Sequence, residues 1–274
     1  MLAIGISLLL FALIGMGIPL AFALGASGCL GVWLIGGFDP MLAFLTTTPV
    51  TTAGTYELMT IPMFVLMAEF VIVSGVAEEL FDTIDAWTRH LRGGLGISTV
   101  LTGAGFSSIC GSSAAAAATL ASTAIPQMRR HGYDMKLATG LTAIVGTLSS
   151  MIPPANGLII YGVLSGADLG KLLIAGIIPG MIGVVVLTVT LQVLIRRNPA
   201  LIRERTDPQP PLWTRIRMLS RVLPMTLLFL VVVGVMYFGI GTPTEASAMG
   251  AVGALLITAQ RRRLNWTSLY KALR

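Results

Sequence analysis

Long apolar runs recur through this sequence, and the first Lys or Arg in it is Arg89. A soluble core cannot bury that many such runs, whereas the hydrocarbon layer of a bilayer accepts a helix of about 20 apolar residues. Composition agrees: 11% of the residues are charged, against about 25% in soluble domains. The expected fold is an all-α polytopic membrane protein. A secretory signal would need a basic segment ahead of its apolar core. None precedes Arg89, so the N-terminus reads as a retained membrane helix.

The formal net charge of +6 does not point to nucleic acid. The basic residues lie in short tracts between apolar runs, where they act as topology signals rather than as one charged face. The two cysteines, Cys29 and Cys110, stand in apolar or small-residue surroundings without Cys/His ligand spacing, so neither a disulfide framework nor a metal centre is expected.

Residues 2 to 36 are apolar but broken at Gly15-Met16-Gly17-Ile18-Pro19, which fits either one long tilted helix or two short ones. Thr46 to Thr55 is rich in β-branched polar residues and reads as a non-spanning connection. A span is expected from about Leu58 to Val76. From Glu78 to Leu91, Leu80, Ile84, Trp87 and Leu91 recur at helical spacing beside Glu79, Asp82, Asp85 and Arg89, the pattern of an amphipathic helix lying in the membrane interface. Farther on, Gly170 to Ile195 reads as a span. A basic amphipathic stretch, Leu212 to Arg221, precedes another span at Val222 to Ile240. The last apolar run, Ala246 to Ala259, is short for a crossing.

Two apolar segments carry unusual interiors. Leu95 to Pro126 reads Gly105-Phe106-Ser107-Ser108-Ile109-Cys110-Gly111-Ser112-Ser113 at its centre, with no bulky lipid-facing side chains before a run of alanines. Arg89 and Arg92 precede it, and Arg129, Arg130 and Lys136 follow it. Basic flanks belong in the cytoplasm, so this segment should enter and leave the membrane on one side, as a re-entrant hairpin with its tip near Cys110 to Ser113. Leu137 to Ser165 then crosses, interrupted at Gly146-Thr147-Leu148-Ser149-Ser150-Met151-Ile152-Pro153-Pro154. Adjacent prolines remove two backbone donors and leave upstream carbonyls unpaired. With these spans, every Lys and Arg except Lys171 falls on the cytoplasmic side.

Irregular backbone survives at membrane depth only where protein or a lined cavity covers it. Broken helices and hairpin tips present carbonyl oxygens to cations and helix N-termini to anions, the usual way in which secondary transporters build a midplane site. The tip and the Gly146 to Pro154 break are therefore expected to meet. Single residues are less telling. Glu69, inside an apolar run, is a functional candidate as an intramembrane carboxylate, but reads rather as a carboxylate near the interface or hydrogen-bonded within the bundle. Glu245 reads as a helix-start residue beside a capping Thr242 or Thr244. His90 and His131 fall in basic loops without ligand-type partners. No nucleophile elbow, HExxH or P-loop is present, so an enzyme is not expected.

The order of motifs resembles a known family. Cys110-Gly111-Ser112-Ser113-Ala114-Ala115, followed by Ile125-Pro126-Gln127-Met128-Arg129-Arg130-His131-Gly132-Tyr133-Asp134, is similar to the first hairpin of the large membrane subunit of tripartite ATP-independent periplasmic (TRAP) transporters. Ile61-Pro62-Met63-Phe64, Gly146-Thr147-Leu148, Ile152-Pro153-Pro154, Leu158-Ile159-Ile160-Tyr161-Gly162, Gly176-Ile177-Ile178-Pro179-Gly180 and Thr242-Pro243-Thr244-Glu245-Ala246 resemble further signatures in the same order.

The resemblance implies a multi-pass bacterial inner-membrane permease of the elevator type. Such a permease couples Na⁺ to import of small organic anions such as dicarboxylates, sugar acids or sialic acids. It implies two partners, a small four-helix membrane subunit and a periplasmic substrate-binding protein, and no cofactor beyond the coupling ion. Carried onto this chain, the Na⁺ site takes Cys110, Gly111 and Ser113 from the tip and Gly146, Thr147, Ser149, Ile152 and Pro154 from the break. Ser112, Ser113 and Asn156 are left for the substrate. Three positions depart from the family pattern: Cys110 stands where Ser is usual, Ser149 where Gly is usual, and Ala155-Asn156-Gly157 follows the two prolines. Thiol sulfur is a poor Na⁺ ligand, so Cys110 would contribute its carbonyl. The family chain continues into a second, inverted repeat, so residues 1 to 274 read as its first half, truncated. The alternatives are another hairpin-type anion permease that needs no binding protein, and a membrane subunit with a structural role only.

Overall fold

A computed structural model describes residues 2–202 and 209–264, and these fall into two compact units divided between Thr55 and Tyr56. Arg203, Arg205, Lys271 and Arg274, counted above among the cytoplasmic basic residues, lie outside the described residues. Among the described residues the chain is helical and without strands, as the composition predicts.

In the first unit the apolar stretch forms two helices, α1 (Leu2–Gly15) and α2 (Leu20–Gly36), rather than one. Gly17 takes φ +82° and Pro19 precedes the first turn of α2, which ends one helix and starts the next. Ala23, Ser27 and Gly31 recur at four-residue spacing and are the buried positions of α2. A side chain at Gly31 would press on Ile6 at 2.9 Å, so small residues bring α1 and α2 close. Helix α3 (Phe38–Ala53) corrects an expectation, because the Thr-rich segment up to Ala53 is helical and not a loose connection. The hydroxyls of Thr46, Thr47 and Thr51 donate to carbonyls one turn earlier. That back-bonding satisfies the polar side chains without leaving the helix.

The second unit opens with a 3₁₀ turn, Tyr56–Met59, and α4 (Thr60–Ser74). Helix α5 (Val76–Thr88) follows, then α6 (Gly94–Cys110), α7 (Ser113–Arg130), α8 (Met135–Gly146) and α9 (Asn156–Ser165). The remainder is α10 (Leu169–Ala175), α11 (Ile177–Arg197), α12 (Leu212–Tyr237) and α13 (Pro243–Gln260). Among the described residues three stretches are long and apolar enough to cross a membrane: Tyr56–Ser74, Leu169–Arg197 and Leu212–Tyr237. The basic stretch from Leu212 and the span after it are one continuous helix, with Pro224 inside it.

Helix α5 buries Val76, Ala77, Leu80, Phe81 and Asp85, while Trp87 stays exposed. Asp85 is held by Arg89 at 2.8 Å. The buried face therefore lies to one side of the expected Leu80, Ile84, Trp87 and Leu91 stripe, because α5 packs on both α6 and α12. Helix α13 lies along α4, tied at both ends. The Thr60 and Thr244 hydroxyls share a buried hydrogen bond of 2.9 Å, and Thr258 Oγ1 donates to the Phe70 carbonyl at 2.8 Å. Thr242 and Glu245 form a reciprocal cap at the start of α13, the structural role read for Glu245 from the sequence. Asp168 caps α10, and the Lys171 N–H holds its carboxyl below the usual range.

Helix α6 serves both apolar cores of this unit. Phe106 and Ile109 pack with Phe64, Phe70 and Ile159, whereas Ile97 and Val100 pack with Leu120, Val145 and Leu191. Several of its hydroxyls bond within the protein: Ser98 Oγ lies 2.7 Å from Thr88 Oγ1 and donates to the Gly94 carbonyl at 2.9 Å, and Thr99 Oγ1 donates to the Leu95 carbonyl, whereas the buried Thr102 hydroxyl has no partner. A helix so poor in bulky side chains is stable in an apolar setting because neighbouring helices, not lipid, surround it.

Candidate functional site

Helices α6 and α7 pack together on either side of a two-residue turn at Gly111 and Ser112. Gly111 adopts φ +61° and closes α6, and Ser112 is the N-cap of α7, its hydroxyl accepting from the Ala115 N–H. The helix pair extends four residues beyond Pro126, which sits inside α7 rather than ending it. Ser112 and Ser113 are half-buried at the tip. Cys110 is buried, and its thiol donates to the Ser112 carbonyl at 3.7 Å, which turns the sulfur back on its own loop.

The second interruption lies between α8 and α9. After Gly146 the chain tightens into a 3₁₀ turn, Thr147–Ser150, and then runs non-helically to Ala155, with a cis peptide between Pro153 and Pro154. Pro153 and Pro154 have no N–H to offer the carbonyls four residues earlier, those of Ser149 and Ser150, so the helix cannot continue.

Tip and break meet, as the sequence predicts. The Asn156 N–H donates to the Gly111 carbonyl at 3.2 Å. A Cβ on Gly111 would overlap the Pro154 carbonyl oxygen and lie 3.2 Å from Asn156 Oδ1. Only a glycine in the left-handed region permits this approach. Below the tip, Ser149 Oγ donates to Ser107 Oγ at 2.8 Å, with both residues fully buried. A Cβ on Gly146 would fall 2.6 Å from Ala117 Cβ, so the end of α8 lies directly on α7.

The candidate residues do not all point inward. Gly111, Pro154 and Asn156 meet at the junction, Cys110 and Ser113 stand on either side of the tip turn, and Ser149 reaches Ser107 below it. Thr147 is exposed, and its hydroxyl donates to the Ile144 carbonyl at 2.6 Å. Ile152 packs toward α11, where a side chain on Gly180 would meet its Cγ1 at 2.6 Å. Ser107 was not singled out from the sequence as a site residue. It stands one helical turn before the tip, a spacing that marks it as the natural partner of a hydroxyl in the break.

One polar atom at the junction is unsatisfied. Asn156 Oδ1 is buried without a hydrogen-bond partner. A buried acceptor left in this state costs about 1–3 kcal/mol, which is a reason to look for something that binds it. Among the described residues no group of His, Cys, Asp and Glu is arranged to hold a metal ion. The oxygens that meet at the junction itself are neutral, with the Glu69 carboxylate near enough to act on Cys110.

Comparison with known proteins bears on the whole chain. Residues 7–274 match the family model described as "Tripartite ATP-independent periplasmic transporter, DctM component". The C4-dicarboxylate TRAP transporter large permease protein of Pseudomonas aeruginosa is 35% identical over 233 residues, covering 84% of this chain and 52% of that protein. Its counterpart from Vibrio cholerae is 31% identical over 92% of this chain and 55% of its own length. The 2,3-diketo-L-gulonate TRAP transporter large permease protein of Escherichia coli is 33% identical over 95% of this chain and 60% of its own length. The chain thus spans about half the length of the curated relatives it matches, and the three named here are transporter permeases, not enzymes. The ordered motifs, the broken helix meeting a helix-pair tip and these matches place the chain in the DctM component family of tripartite ATP-independent periplasmic transporters.

Proposed function

We propose that the chain forms the first half of a sodium-coupled permease that imports small organic anions across the bacterial inner membrane. In this reading it works with a small membrane subunit and a periplasmic binding protein that delivers the substrate. The α6–α7 pair is the re-entrant hairpin, and the α8–α9 interruption is the broken crossing helix. The observation that carries the reading is the buried, unpartnered Asn156 Oδ1 beside the Gly111 and Pro154 carbonyls.

A monovalent hard cation is well served by neutral carbonyl and hydroxyl oxygens at an unwound helix. The Gly111, Ser149 and Pro154 carbonyls, with Ser113 and Asn156, supply such oxygens without a fixed charge. Na⁺ bound there would add the positive charge that the junction lacks. That charge, together with the N-terminus of α7, would favour a substrate carboxylate at Ser112 and Ser113. Coupling follows from the order of charges, since the anion binds weakly until the cation is present. The relatives named for C4-dicarboxylates, for 2,3-diketo-L-gulonate and for isethionate suggest a small organic oxyanion, carboxylate or sulfonate, as the shared feature of the substrate.

The test is uptake by the complete transporter, reconstituted with its partners, under an imposed Na⁺ gradient. Uptake is expected to require Na⁺ and not ATP. Replacement of Ser112 or Ser113 by Trp is expected to abolish it while membrane insertion persists. Uptake indifferent to Na⁺, or unaffected by both tip substitutions, would refute the proposal.

A further inference from the structure

We propose that a basic cleft between the start of α5, the stretch of α12 around Arg221 and the end of α13, remote in sequence from the hairpin tip, binds the phosphate headgroup of an anionic phospholipid. The cleft encloses about 430 Å³. Three of its lining residues are arginines, Arg221, Arg261 and Arg263, against one carboxylate, Glu79. Arg261 is already committed. Its Nη1 donates to Glu79 Oε2 at 2.6 Å, and its Nη2 donates to the Arg221 carbonyl at 2.8 Å. This pair neutralises itself and fixes the floor, leaving the charges of Arg221 and Arg263 in excess. Asp82, the next carboxylate, is near enough to interact with Arg221 but does not line the cleft.

The backbone is shaped around these cations. Gly75 stands at φ +72° between α4 and α5, and any side chain there would collide with the Arg263 guanidinium. Guanidinium groups present planar forks that match phosphate oxygens better than an ammonium does. Gln260 and Ser220 add neutral polar groups to the rim. The Ser220 carbonyl has no helical donor, because Pro224 stands four residues on.

Apolar surface beside the cleft argues for a lipid rather than a soluble anion. Pro224 and Ile257 line its inner end. From there α12 exposes Leu223, Leu227 and Leu230, and α13 exposes Val252 and Leu256. A headgroup held by Arg221 and Arg263 would lay its acyl chains along these two rows. Basic pockets between membrane helices near the cytoplasmic surface recognise anionic headgroups in this manner.

Native mass spectrometry of the full chain in detergent tests the site, with phosphatidylglycerol, cardiolipin and phosphatidylcholine as probes. The anionic lipids are expected to be retained on the order of tenfold better than phosphatidylcholine. Arg221→Ala combined with Arg263→Ala should erase that preference. Arg129→Ala combined with Arg130→Ala, which removes equal charge from a different exposed site, should leave it intact. Arg263→Glu alone, at an exposed position after α13, provides a variant whose folding is not in question, and it should also lose the preference. Equal losses from the two double variants, no preference in the parent chain, or displacement of phosphatidylglycerol by inorganic phosphate would overturn the assignment.

Discussion

The Asn156 N–H donates to the Gly111 carbonyl at 3.2 Å, a single backbone bond that joins the broken helix to the hairpin tip. Its length depends on Gly111 having no side chain, because a methyl group there would overlap the Pro154 carbonyl oxygen. Gly111→Ala would also force alanine into the left-handed region at a cost of about 1–2 kcal/mol, before any overlap is relieved. We expect this variant to unfold at a clearly lower temperature in detergent than the parent chain. Gly157→Ala, a few residues away with open space around it, should be nearly silent. Equal stability of the two variants would mean that tip and break are not in contact.

Ser107 and Ser149 offer a second, independent check of the same junction. Their hydroxyls share a 2.8 Å hydrogen bond in a fully buried position. Ser107→Ala or Ser149→Ala alone strands a buried hydroxyl and should cost about 1–3 kcal/mol. The double variant removes both and should cost less than the sum of the two single changes. A thermal-unfolding double-mutant cycle measures the coupling, and strict additivity would place the two serines apart.

The sequence was most legible where chemistry forbids alternatives. Adjacent prolines at 153 and 154 had to end a helix, and a Gly-Ser tip between basic flanks had to turn. Both interruptions stand where expected, within a few residues. The Thr46 to Thr55 segment misled because β-branched polar residues disfavour a helix only when their hydroxyls compete for the backbone. Here the hydroxyls bond to the preceding turn and the helix persists to Ala53. Helical periodicity also misplaced the buried face of α5, since it registers only where apolar residues recur. The neighbours α6 and α12 decide which side is covered, and they accept Asp85 because Arg89 pairs with it. Within the site, residue types marked the two segments but not the direction of each side chain. Thr147 and Ile152 looked equivalent to Ser149 in the sequence, yet only Ser149 reaches α6.

Asn156 gives the sharpest test of ion binding. Its Oδ1 is buried and unpartnered, so Asn156→Leu removes an unsatisfied acceptor while keeping the backbone bond to Gly111. Without Na⁺ the variant should be as stable as the parent chain or more so. With Na⁺ at ten times its dissociation constant, the parent should gain about 1.4 kcal/mol from ligand binding alone, and the variant little or none. Thermal unfolding in NaCl and in choline chloride separates these outcomes. A parent chain with the same midpoint in both salts would remove Na⁺ from this junction.

The membrane arrangement itself can be read from three exposed positions. Arg92 lies before α6, Arg130 at the end of α7, and Lys171 in α10. If α6 and α7 enter and leave on one side, cysteines replacing Arg92 and Arg130 must share a face, whereas a cysteine replacing Lys171 must lie on the other. This follows from the spans expected from the sequence, which leave Lys171 as the one Lys or Arg away from the cytoplasm. The native thiols interfere little, since Cys110 is buried and Cys29 is only partly accessible, and Cys29→Ala removes the remaining background. A membrane-impermeant maleimide applied to intact cells should label only the Lys171→Cys variant. Labelling of Arg92→Cys and Arg130→Cys should need permeabilised cells. If those two label from opposite faces, α6 and α7 are not a re-entrant pair and the proposed ion site loses its membrane depth. If all three label from one face, α8 to α10 does not cross as a broken helix, and the assignment of Gly146 to Pro154 falls with it.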